Sequence, residues 1–277
     1  MCRFSALLSK SPVPLQILLN DPTNSLVSQS YCAQESTSGI NADGFGLGWY
    51  NHELSPNPGV FKSILPAWND ENLLSLTSKI SSHCFIGHVR ASTVGNVNYA
   101  NCHPYSHNHF LFAHNGTIEN FDAIKRPLIQ MLPDELLKNI KGQTDSEYFF
   151  ALICKFLAKD SSLKEAKEAI NQAIGTVNSL QRENKIEVCS LLNLVFTNGH
   201  YLIATKYSSK IDDKDLSLYY RENICQSNNA NAELCSITVS SEMLDDDGPE
   251  NWIEVPSNHM IWADNTMLVH SEEITKG

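Results

Sequence analysis

The chain has 277 residues, of which 42% are hydrophobic and 18% charged, and its formal charge is −11 at pH 7. These values predict a globular protein with a large buried core. No run of lysine or arginine offsets the negative charge, so nucleic acid and anionic membranes are not expected partners. No run of about 18 apolar residues predicts a membrane span, and no signal peptide is predicted near the N-terminus.

The cysteines bear on the compartment. Eight of them are spread along the chain without a C-x-x-C pair, and Cys154 lies in the apolar run FFALICKFLA. In a chain of this length, scattered cysteines predict reduced thiols rather than a disulfide framework. We therefore predict a cytoplasmic protein.

The first half of the chain shows short apolar runs bounded by polar residues, a pattern typical of buried strands and loops. Polar residues at the end of a strand are where sites tend to be built on a rigid frame. The predicted elements are strands at 2–8, 41–50, 84–89 and 110–113, a weak helix at 69–81, and polar loops at 24–39 and 94–108.

Gly44, Gly46 and Gly48 alternate within the predicted strand at 41–50. Their spacing is not G-x-G-x-x-G and no helical pattern follows, so a nucleotide site is not predicted. Alternating small residues in a strand instead favour the close approach of another backbone. No cofactor is predicted for the chain.

The second half begins with helices. Thr144 and Glu147 form the pattern of a capping box, which predicts a helix over 147–158, and an amphipathic period predicts another over 162–182. The strand-like runs of 189–207 flank Asn198-Gly199, a strong hairpin signal. Strands at both ends with helices between them predict one α+β domain over 2–277. Further strands are predicted at 217–221, 235–240, 258–263 and 266–270.

The most distinctive stretch is Met1-Cys2-Arg3. A small residue behind the initiator methionine predicts removal of Met1, which leaves a cysteine with a free α-amine. The amine has an ordinary pKa of about 7.7–8.0 and the thiol one of about 8.5, so both titrate near neutral pH. The amine can accept the proton of the thiol beside it, and one residue then supplies both nucleophile and base.

Amide hydrolysis through a thiolate also needs donors for the developing oxyanion and groups that hold the substrate. The Asn115 side-chain amide and the Gly116 N–H are candidate donors. Arg90 is a fork-shaped cation suited to a carboxylate, and Asp145 is a candidate partner of an ammonium group. Each also has a structural interpretation, as a turn, a surface ion pair or a helix-start carboxylate. Together they predict a ligand with an α-carboxylate, an α-ammonium and a distal amide, as in glutamine or a γ-glutamyl compound.

Five segments between residues 2 and 147 appear in the order typical of one family. Through them the chain resembles a class II glutamine amidotransferase, an N-terminal-nucleophile hydrolase. Any one segment alone is weak, whereas five in order are highly specific. The segments are Cys2-Arg3, Asn41-Ala42-Asp43-Gly44-Phe45-Gly46, Gly87-His88-Val89-Arg90-Ala91-Ser92-Thr93, His114-Asn115-Gly116 and Thr144-Asp145-Ser146-Glu147.

The resemblance implies a four-layer α/β/β/α sandwich and cleavage of a glutamine amide through a γ-glutamyl thioester. It implies Cys2 as nucleophile, with Asn115 and Gly116 as oxyanion hole. It also implies that Arg90, Thr93 and Asp145 bind the amino-acid end of the substrate, with no metal in the site.

The resemblance extends to a free-standing subgroup of the family through Ser241-Glu242-Met243-Leu244, Trp252 and Val255-Pro256. That subgroup includes γ-glutamyl hydrolases of ergothioneine synthesis and a component of glutathione breakdown, and many relatives have proline where Met243 stands. We expect a stand-alone amidohydrolase of a small molecule. The alternative is the glutaminase half of a two-protein complex that passes ammonia or a γ-glutamyl group to its partner. A synthase subunit, a peptidase subunit and a second copy of the chain are the possible protein partners.

Two other classes of protein compete with this interpretation. Cys102, His103, His107, His109 and His114 are residue types that bind zinc, but their spacings match no common zinc signature. The other alternative is a non-catalytic scaffold. The presence of the whole set of chemical residues argues against it, because a scaffold has no need of a nucleophile with its oxyanion donors.

Overall fold

The computed structural model describes residues 1–35, 39–92, 95–158, 161–187, 190–209, 216–226, 232–245 and 251–275. Within these ranges the chain forms two antiparallel sheets and several helices. The strands are β1 (Arg3–Pro14), β2 (Phe45–Trp49), β3 (Gly59–Ser63), β4 (Ser81–Val89), β5 (Tyr105–His107), β6 (Phe110–Thr117), β7 (Leu191–Thr197), β8 (Leu202–Lys206), β9 (Tyr219–Gln226), β10 (Ala232–Ser240), β11 (Ile253–Glu254), β12 (His259–Ala263) and β13 (His270–Glu273).

The helices precede or follow the strands in groups rather than alternating with them, as the α+β prediction requires. Short 3-10 turns lie at Ala67–Asn69 and Tyr99–Asn101. The α-helices are α1 (Gln16–Leu19), α2 (Leu26–Tyr31), α3 (Glu71–Thr77), α4 (Phe121–Met131), α5 (Asp134–Leu137), α6 (Asp145–Phe156) and α7 (Leu163–Glu183).

The two sheets pack face to face between two layers of helices. One sheet has the strand order β11-β9-β10-β1-β4-β2-β3 and the other β13-β12-β8-β7-β6-β5. One apolar core, with Phe4 and Leu111, fills the space between the sheets. A second core joins the six-stranded sheet to α4, α6 and α7, and a third joins the seven-stranded sheet to α1–α3. The predicted α/β/β/α order of layers is therefore present.

Local sequence signals explain several of the elements. β7 and β8 form the predicted hairpin, and Gly199 at its turn has a φ of +88°, a conformation that glycine adopts without steric cost. Ser162 and Glu165 close a complete capping box at the start of α7. No helix within the described ranges is both long and apolar enough to cross a membrane.

Three sequence predictions are wrong in detail. The polar loop predicted at 24–39 contains α2, which begins where the Ser25 side chain accepts the Ser28 N–H. The strand predicted at 266–270 instead begins in a turn, where the Thr266 N–H donates to Asp264, and continues without regular structure until β13 starts at His270. The sequence analysis also missed α4, whose helical pattern is interrupted by Pro127.

The cysteine prediction is correct for some residues and wrong for another. Cys235 is disulfide-bonded, contrary to the expectation of reduced thiols throughout. It lies at the irregularity of β10 where the register with β9 shifts, a long-range feature that cysteine spacing does not reveal. Among the described residues, the free thiols are Cys2, Cys32, Cys84, Cys102 and Cys154.

Candidate active site

Cys2 and Arg90 lie side by side where β1 begins and β4 ends. The two strands are antiparallel with Arg3 opposite Val89, so one further step puts Cys2 opposite Arg90. Residues that face each other in such a pair have Cβ atoms about 4.5–5.5 Å apart. The Cys2 Sγ contacts the backbone of Ala91, 3.2 Å from its carbonyl oxygen and 3.4 Å from its nitrogen. Thiol and guanidinium therefore share one end of the seven-stranded sheet.

Both side chains face the space between the sheets. Phe4 and Ala6 of β1 and Ile86 of β4 belong to the core between the sheets. Side chains of a strand alternate between its faces, so Cys2 and Arg90 continue these two rows. The guanidinium of Arg90 is buried, which makes it a cation at the end of an apolar layer rather than a surface group.

Asn115 faces the same layer from the six-stranded sheet. Leu111 and Ala113 of β6 belong to the core between the sheets, and Asn115 is the next alternate residue. It is fully buried, and neither its side-chain nitrogen nor its oxygen has a hydrogen-bond partner among the described residues. Leaving a buried polar group unpaired costs about 1–3 kcal/mol, so such an amide is a strong candidate for contact with a ligand.

The backbone N–H of Gly116 points away from the body of its sheet. Gly116 is opposite Leu192 of β7, and the Leu192 N–H donates to the Tyr207 carbonyl on the far side of that strand at 2.9 Å. In antiparallel pairing, Gly116 then also turns its N–H away from β7. A Cβ at position 116 would collide with the Leu191 carbonyl. Only glycine fits there.

Asp145 is the first residue of α6, and the structure fixes its carboxylate beside the end of β6. Its oxygens accept the Ile118 N–H at 2.7 Å and the Ser146 N–H at 2.8 Å. A buried carboxylate is favoured at a helix N-terminus by the helix dipole. Because two oxygens offer about four lone pairs, the group can still accept a donor from a ligand.

Asn101 connects the loop that follows β4 to the loop that precedes α6. The Arg90 Nη1 donates to the Asn96 carbonyl at 3.3 Å, and the Asn101 Nδ2 donates to the same oxygen at 2.9 Å. The Asn101 Oδ1 in turn accepts the Gln143 N–H at 2.9 Å. These bonds bring Arg90 and the start of α6 to one end of the molecule.

Glu147 secures the loop before α6 in an unexpected way. Thr144 accepts the Glu147 N–H as predicted, but the Glu147 carboxylate does not close a capping box. It accepts instead the N–H groups of Lys141 at 2.8 Å and Gly142 at 2.6 Å. The capping-box pattern therefore marks a carboxylate that shapes the loop leading to Asp145.

We expect Gly142→Ala to raise KM about tenfold and to lower the free energy of unfolding by about 1–3 kcal/mol. The new methyl group would collide with Asn101 Oδ1 and lie 2.8 Å from Glu147 Oε2, displacing the loop that leads to Asp145. Steady-state kinetics and urea unfolding measure both effects. Gly175→Ala, inside α7, is the control and should leave KM unchanged. An unchanged KM for Gly142→Ala would contradict a role of this loop in substrate binding.

The protonation states at this end follow mainly from burial. Burial raises the pKa of the Cys2 thiol, which the Ala91 N–H, the terminal amine and Arg90 oppose. Burial also lowers the pKa of the chain-terminal amine of Met1. In the chain that still carries Met1, burial therefore favours a protonated thiol and a neutral terminal amine at this end of the sheet.

The histidines nearby are neutral for the same reason. Burial lowers the pKa of His88 to about 3 and the pKa of His103 well below its ordinary value. The two rings are in contact, with centroids 4.2 Å apart and planes tilted by 32°. His114, whose pKa burial also lowers, contacts the Ser146 hydroxyl and the Leu191 carbonyl. Nε2 of His114 therefore donates to the carbonyl and Nδ1 accepts from the hydroxyl.

The candidate zinc ligands are not assembled into a metal site in the described ranges. The five candidate side chains at 102–114 have other contacts, such as the ring contact of His103 with His88 and the bond of His114 to Ser146. Within those ranges, no group of three or more His, Cys, Asp or Glu side chains is arranged to hold a metal ion.

The structure thus brings Cys2 next to Arg90, links Arg90 to the loop before Asp145, and turns Asn115 toward the same layer. Thr93 lies outside the described residues. The catalytic and binding roles of all the predicted site residues remain predictions. The sequence analysis missed Asn101, because an asparagine in a polar loop carries no signal of its own.

Comparison with known proteins adds the family. The sequence model of the class-II glutamine amidotransferases matches residues 15–273. The chain belongs to the class-II glutamine amidotransferases. This family member is 37% identical over 240 residues to the probable glutamine amidotransferase DUG3 of Saccharomyces cerevisiae, a match that covers 79% of the chain and 67% of the yeast protein. The predictions of the family and of an enzyme are therefore confirmed.

Other relatives extend over nearly the whole amidotransferase chain. The gamma-glutamyl-hercynylcysteine sulfoxide hydrolase of Mycobacterium tuberculosis is 26% identical over 263 residues, covering 94% of this chain and 92% of that protein. A glutamine aminotransferase class-II domain protein from Silicibacter pomeroyi superimposes with a TM-score of 0.67 at 24% identity, covering 99% of this chain and 100% of that one. The glutamine PRPP amidotransferase of B. subtilis superimposes with a TM-score of 0.61 at 16% identity, and the match covers all of this chain and 50% of that one. These likenesses confirm the predicted N-terminal-nucleophile hydrolase fold.

Proposed function

We propose that this amidotransferase hydrolyses glutamine or another γ-glutamyl amide through a thioester on Cys2, after removal of Met1. The observation that carries the proposal is the buried amide of Asn115, which has no hydrogen-bond partner among the described residues and faces the same layer as the thiol and Arg90. A substrate carbonyl in that layer would supply the missing acceptor. The sulfhydryl beside it is the only group of the set that can form a covalent intermediate.

The reaction follows from the groups at hand. The α-amine of Cys2 takes the thiol proton, and the thiolate attacks the substrate amide carbon. The oxyanion accepts hydrogen bonds from the Asn115 side chain and the Gly116 N–H. The ammonium returns its proton to the leaving nitrogen, the C–N bond breaks, and a γ-glutamyl thioester remains. The amine then takes a proton from water, which attacks the thioester and releases glutamate and the thiol.

The amino-acid end of the substrate has oppositely charged partners in this proposal. Arg90 binds the α-carboxylate, which suits a guanidinium buried at the end of an apolar layer. Asp145 binds the α-ammonium through the lone pairs that its backbone donors leave open. Thr93 remains a predicted contact to the same end.

We favour a stand-alone enzyme formed by one domain over residues 2–277. The mycobacterial γ-glutamyl hydrolase supports this choice, because it aligns over 94% of this chain and 92% of its own. A glutaminase subunit that passes ammonia or a γ-glutamyl group to a partner is the second candidate. The B. subtilis amidotransferase supports this second candidate. This chain covers only half of that protein, so there a region of this fold occurs together with a further region.

A substrate screen tests the proposal. Purified protein is incubated with glutamine, glutathione and other γ-glutamyl amides, and released glutamate is measured with and without cell extract. Quenching in acid followed by mass spectrometry should show a γ-glutamyl adduct on Cys2. Turnover without extract favours the stand-alone enzyme, and turnover only with extract favours the subunit. Absence of glutamate release and of the adduct in every reaction would overturn both.

We expect log kcat/KM to rise with a slope of one as pH increases, with a midpoint below 8. The neutral amine is the base and is populated above its own pKa. Burial lowers the pKa of the Met1 amine from its ordinary value of 8.0, and we expect the same direction for the amine of Cys2, which lies one residue further into the fold. Insertion of a lysine after Met1 prevents trimming and turns the amine of Cys2 into an amide nitrogen. That form should be at least about 100-fold slower. Equal activity of the two forms would exclude the amine as base.

A further inference from the structure

Glu242 and Arg3 form a buried ion pair beside the nucleophile. Strand β10 runs antiparallel to β1 with Ser240 opposite Ser5, and the same register puts Glu242 opposite Arg3. The Arg3 Nε lies 2.6 Å from Glu242 Oε1, and both side chains are 1% exposed. Taking two charges out of water is expensive, and an apolar pair of similar size is often at least as stable. The pair therefore calls for an explanation other than stability.

The carboxylate of Glu242 is held from several sides. Its Oε2 accepts the Gln34 N–H at 2.9 Å, and its Oε1 accepts the Glu35 N–H at 3.0 Å. The Asn24 Nδ2 lies 3.4 Å from Oε2. Since these donors come from a different part of the chain than β1 and β10, the carboxylate is a fixed point to which Arg3 is attached.

Arg3 transmits this fixed position to the nucleophile. While its Nε binds Glu242, its Nη1 donates to the carbonyl oxygen of Cys2 at 3.0 Å. The next residue is also clamped, because the Phe4 N–H donates to Ser241 Oγ at 3.0 Å and the Ser241 N–H donates to the Phe4 carbonyl at 2.9 Å. The side chain of Arg3 lies on the face of β1 opposite to the thiol, so its contact with Cys2 is through the backbone.

We propose that Arg3 and Glu242 are positioning residues that fix the backbone of Cys2, so that its thiol and α-amine point into the space between the sheets. This inference rests on the proposed function of Cys2 as nucleophile. It explains why the residue is an arginine. A lysine could pair with Glu242, but its single nitrogen could not also reach the Cys2 carbonyl, which the Arg3 Nη1 binds. A displacement of a reacting group by about 1 Å can cost about 100-fold in rate.

Arg3→Lys tests the proposal, because it keeps the charge opposite Glu242 and removes the fork. We expect kcat to fall at least about tenfold with KM unchanged. We also expect iodoacetamide to alkylate Cys2 several-fold faster, because the thiol leaves its half-buried position against Ala91. Peptide mapping by mass spectrometry separates Cys2 from the exposed Cys32. A loss of stability would also lower kcat and expose the thiol, so a second variant with unchanged stability is needed to tell the two causes apart.

A double variant separates positioning from stability. Arg3→Met with Glu242→Gln removes both charges and keeps a side-chain oxygen as acceptor for the backbone N–H groups at Gln34 and Glu35, and urea unfolding should show stability near that of the wild type. Its kcat should nevertheless remain low and its Cys2 alkylation fast, because nothing then holds the Cys2 carbonyl. Arg221→Met is the control. It breaks the ion pair between Arg221 of β9 and Asp245, which follows β10, at a distance of 2.7 Å, and should change neither kcat nor the alkylation rate.

The two proposals fail in different ways. If the wild type releases no glutamate from any γ-glutamyl amide, the proposed function fails, while the alkylation rates still decide whether Arg3 and Glu242 position Cys2. If the double variant has wild-type kcat and wild-type alkylation, the positioning proposal is overturned and the pair is only structural.

Discussion

Cys2→Ala should lower kcat/KM for a γ-glutamyl amide by at least about 1,000-fold, to the level of the remaining binding and oxyanion groups. The change removes the only atom able to form the thioester. Cys2→Ser should be nearly as inactive, because a hydroxyl is far less acidic than a thiol and gives up its proton to the α-amine much less readily. Glutamate release in steady state and the absence of the adduct after an acid quench measure the loss.

Cys32→Ala is the matched control for these variants. Its thiol is exposed at the end of α2, so kcat/KM should stay at the wild-type value. Normal turnover by Cys2→Ala would contradict the thioester mechanism for both the stand-alone enzyme and the subunit.

Asn115→Ala should lower kcat by about 100- to 1,000-fold, equivalent to about 2.7–4 kcal/mol of transition-state stabilisation. KM should change little, because the oxyanion forms only after attack. Stability should not fall by the amount expected for a lost hydrogen bond, since the amide has no partner among the described residues. The variant is therefore expected to be a folded enzyme with a slow chemical step.

Asn178→Ala provides the contrast. Its Nδ2 donates to the Tyr207 hydroxyl at 2.8 Å in the helical layer, so this variant should lose about 1 kcal/mol of unfolding free energy and keep its kcat. Urea unfolding and initial rates on the same preparations make the comparison. If Asn115→Ala loses stability but not kcat, the amide is structural and Asn115 is not part of the oxyanion hole.

The sequence predicts the local features of the fold and of the candidate site better than the long-range ones. Cys2, Arg90, Asn115 and Asp145 stand at strand or helix ends, where short motifs carry their signal. The hairpin at Asn198-Gly199 was predicted for the same reason.

Features that depend on pairing between distant segments could not be predicted in this way. Glu242 appeared in the sequence only as part of a subgroup signature, and its position opposite Arg3 depends on the register of β10 with β1. The partners of Glu147 were also misjudged, because a capping-box pattern does not reveal a competing pair of N–H groups at Lys141 and Gly142. A side chain's bonds are decided by what the rest of the chain brings to it.

The position of β1 between β4 and β10 has a consequence for biosynthesis. β1 leaves the ribosome before β10 and before the carboxylate of Glu242 that pairs with Arg3, both of which are translated more than two hundred residues later. Until then, one edge of the first strand has no neighbour, and the terminal methionine is still accessible to a processing peptidase. The removal of Met1 that the proposed function requires can therefore take place on the nascent chain, before β10 closes the sheet beside β1.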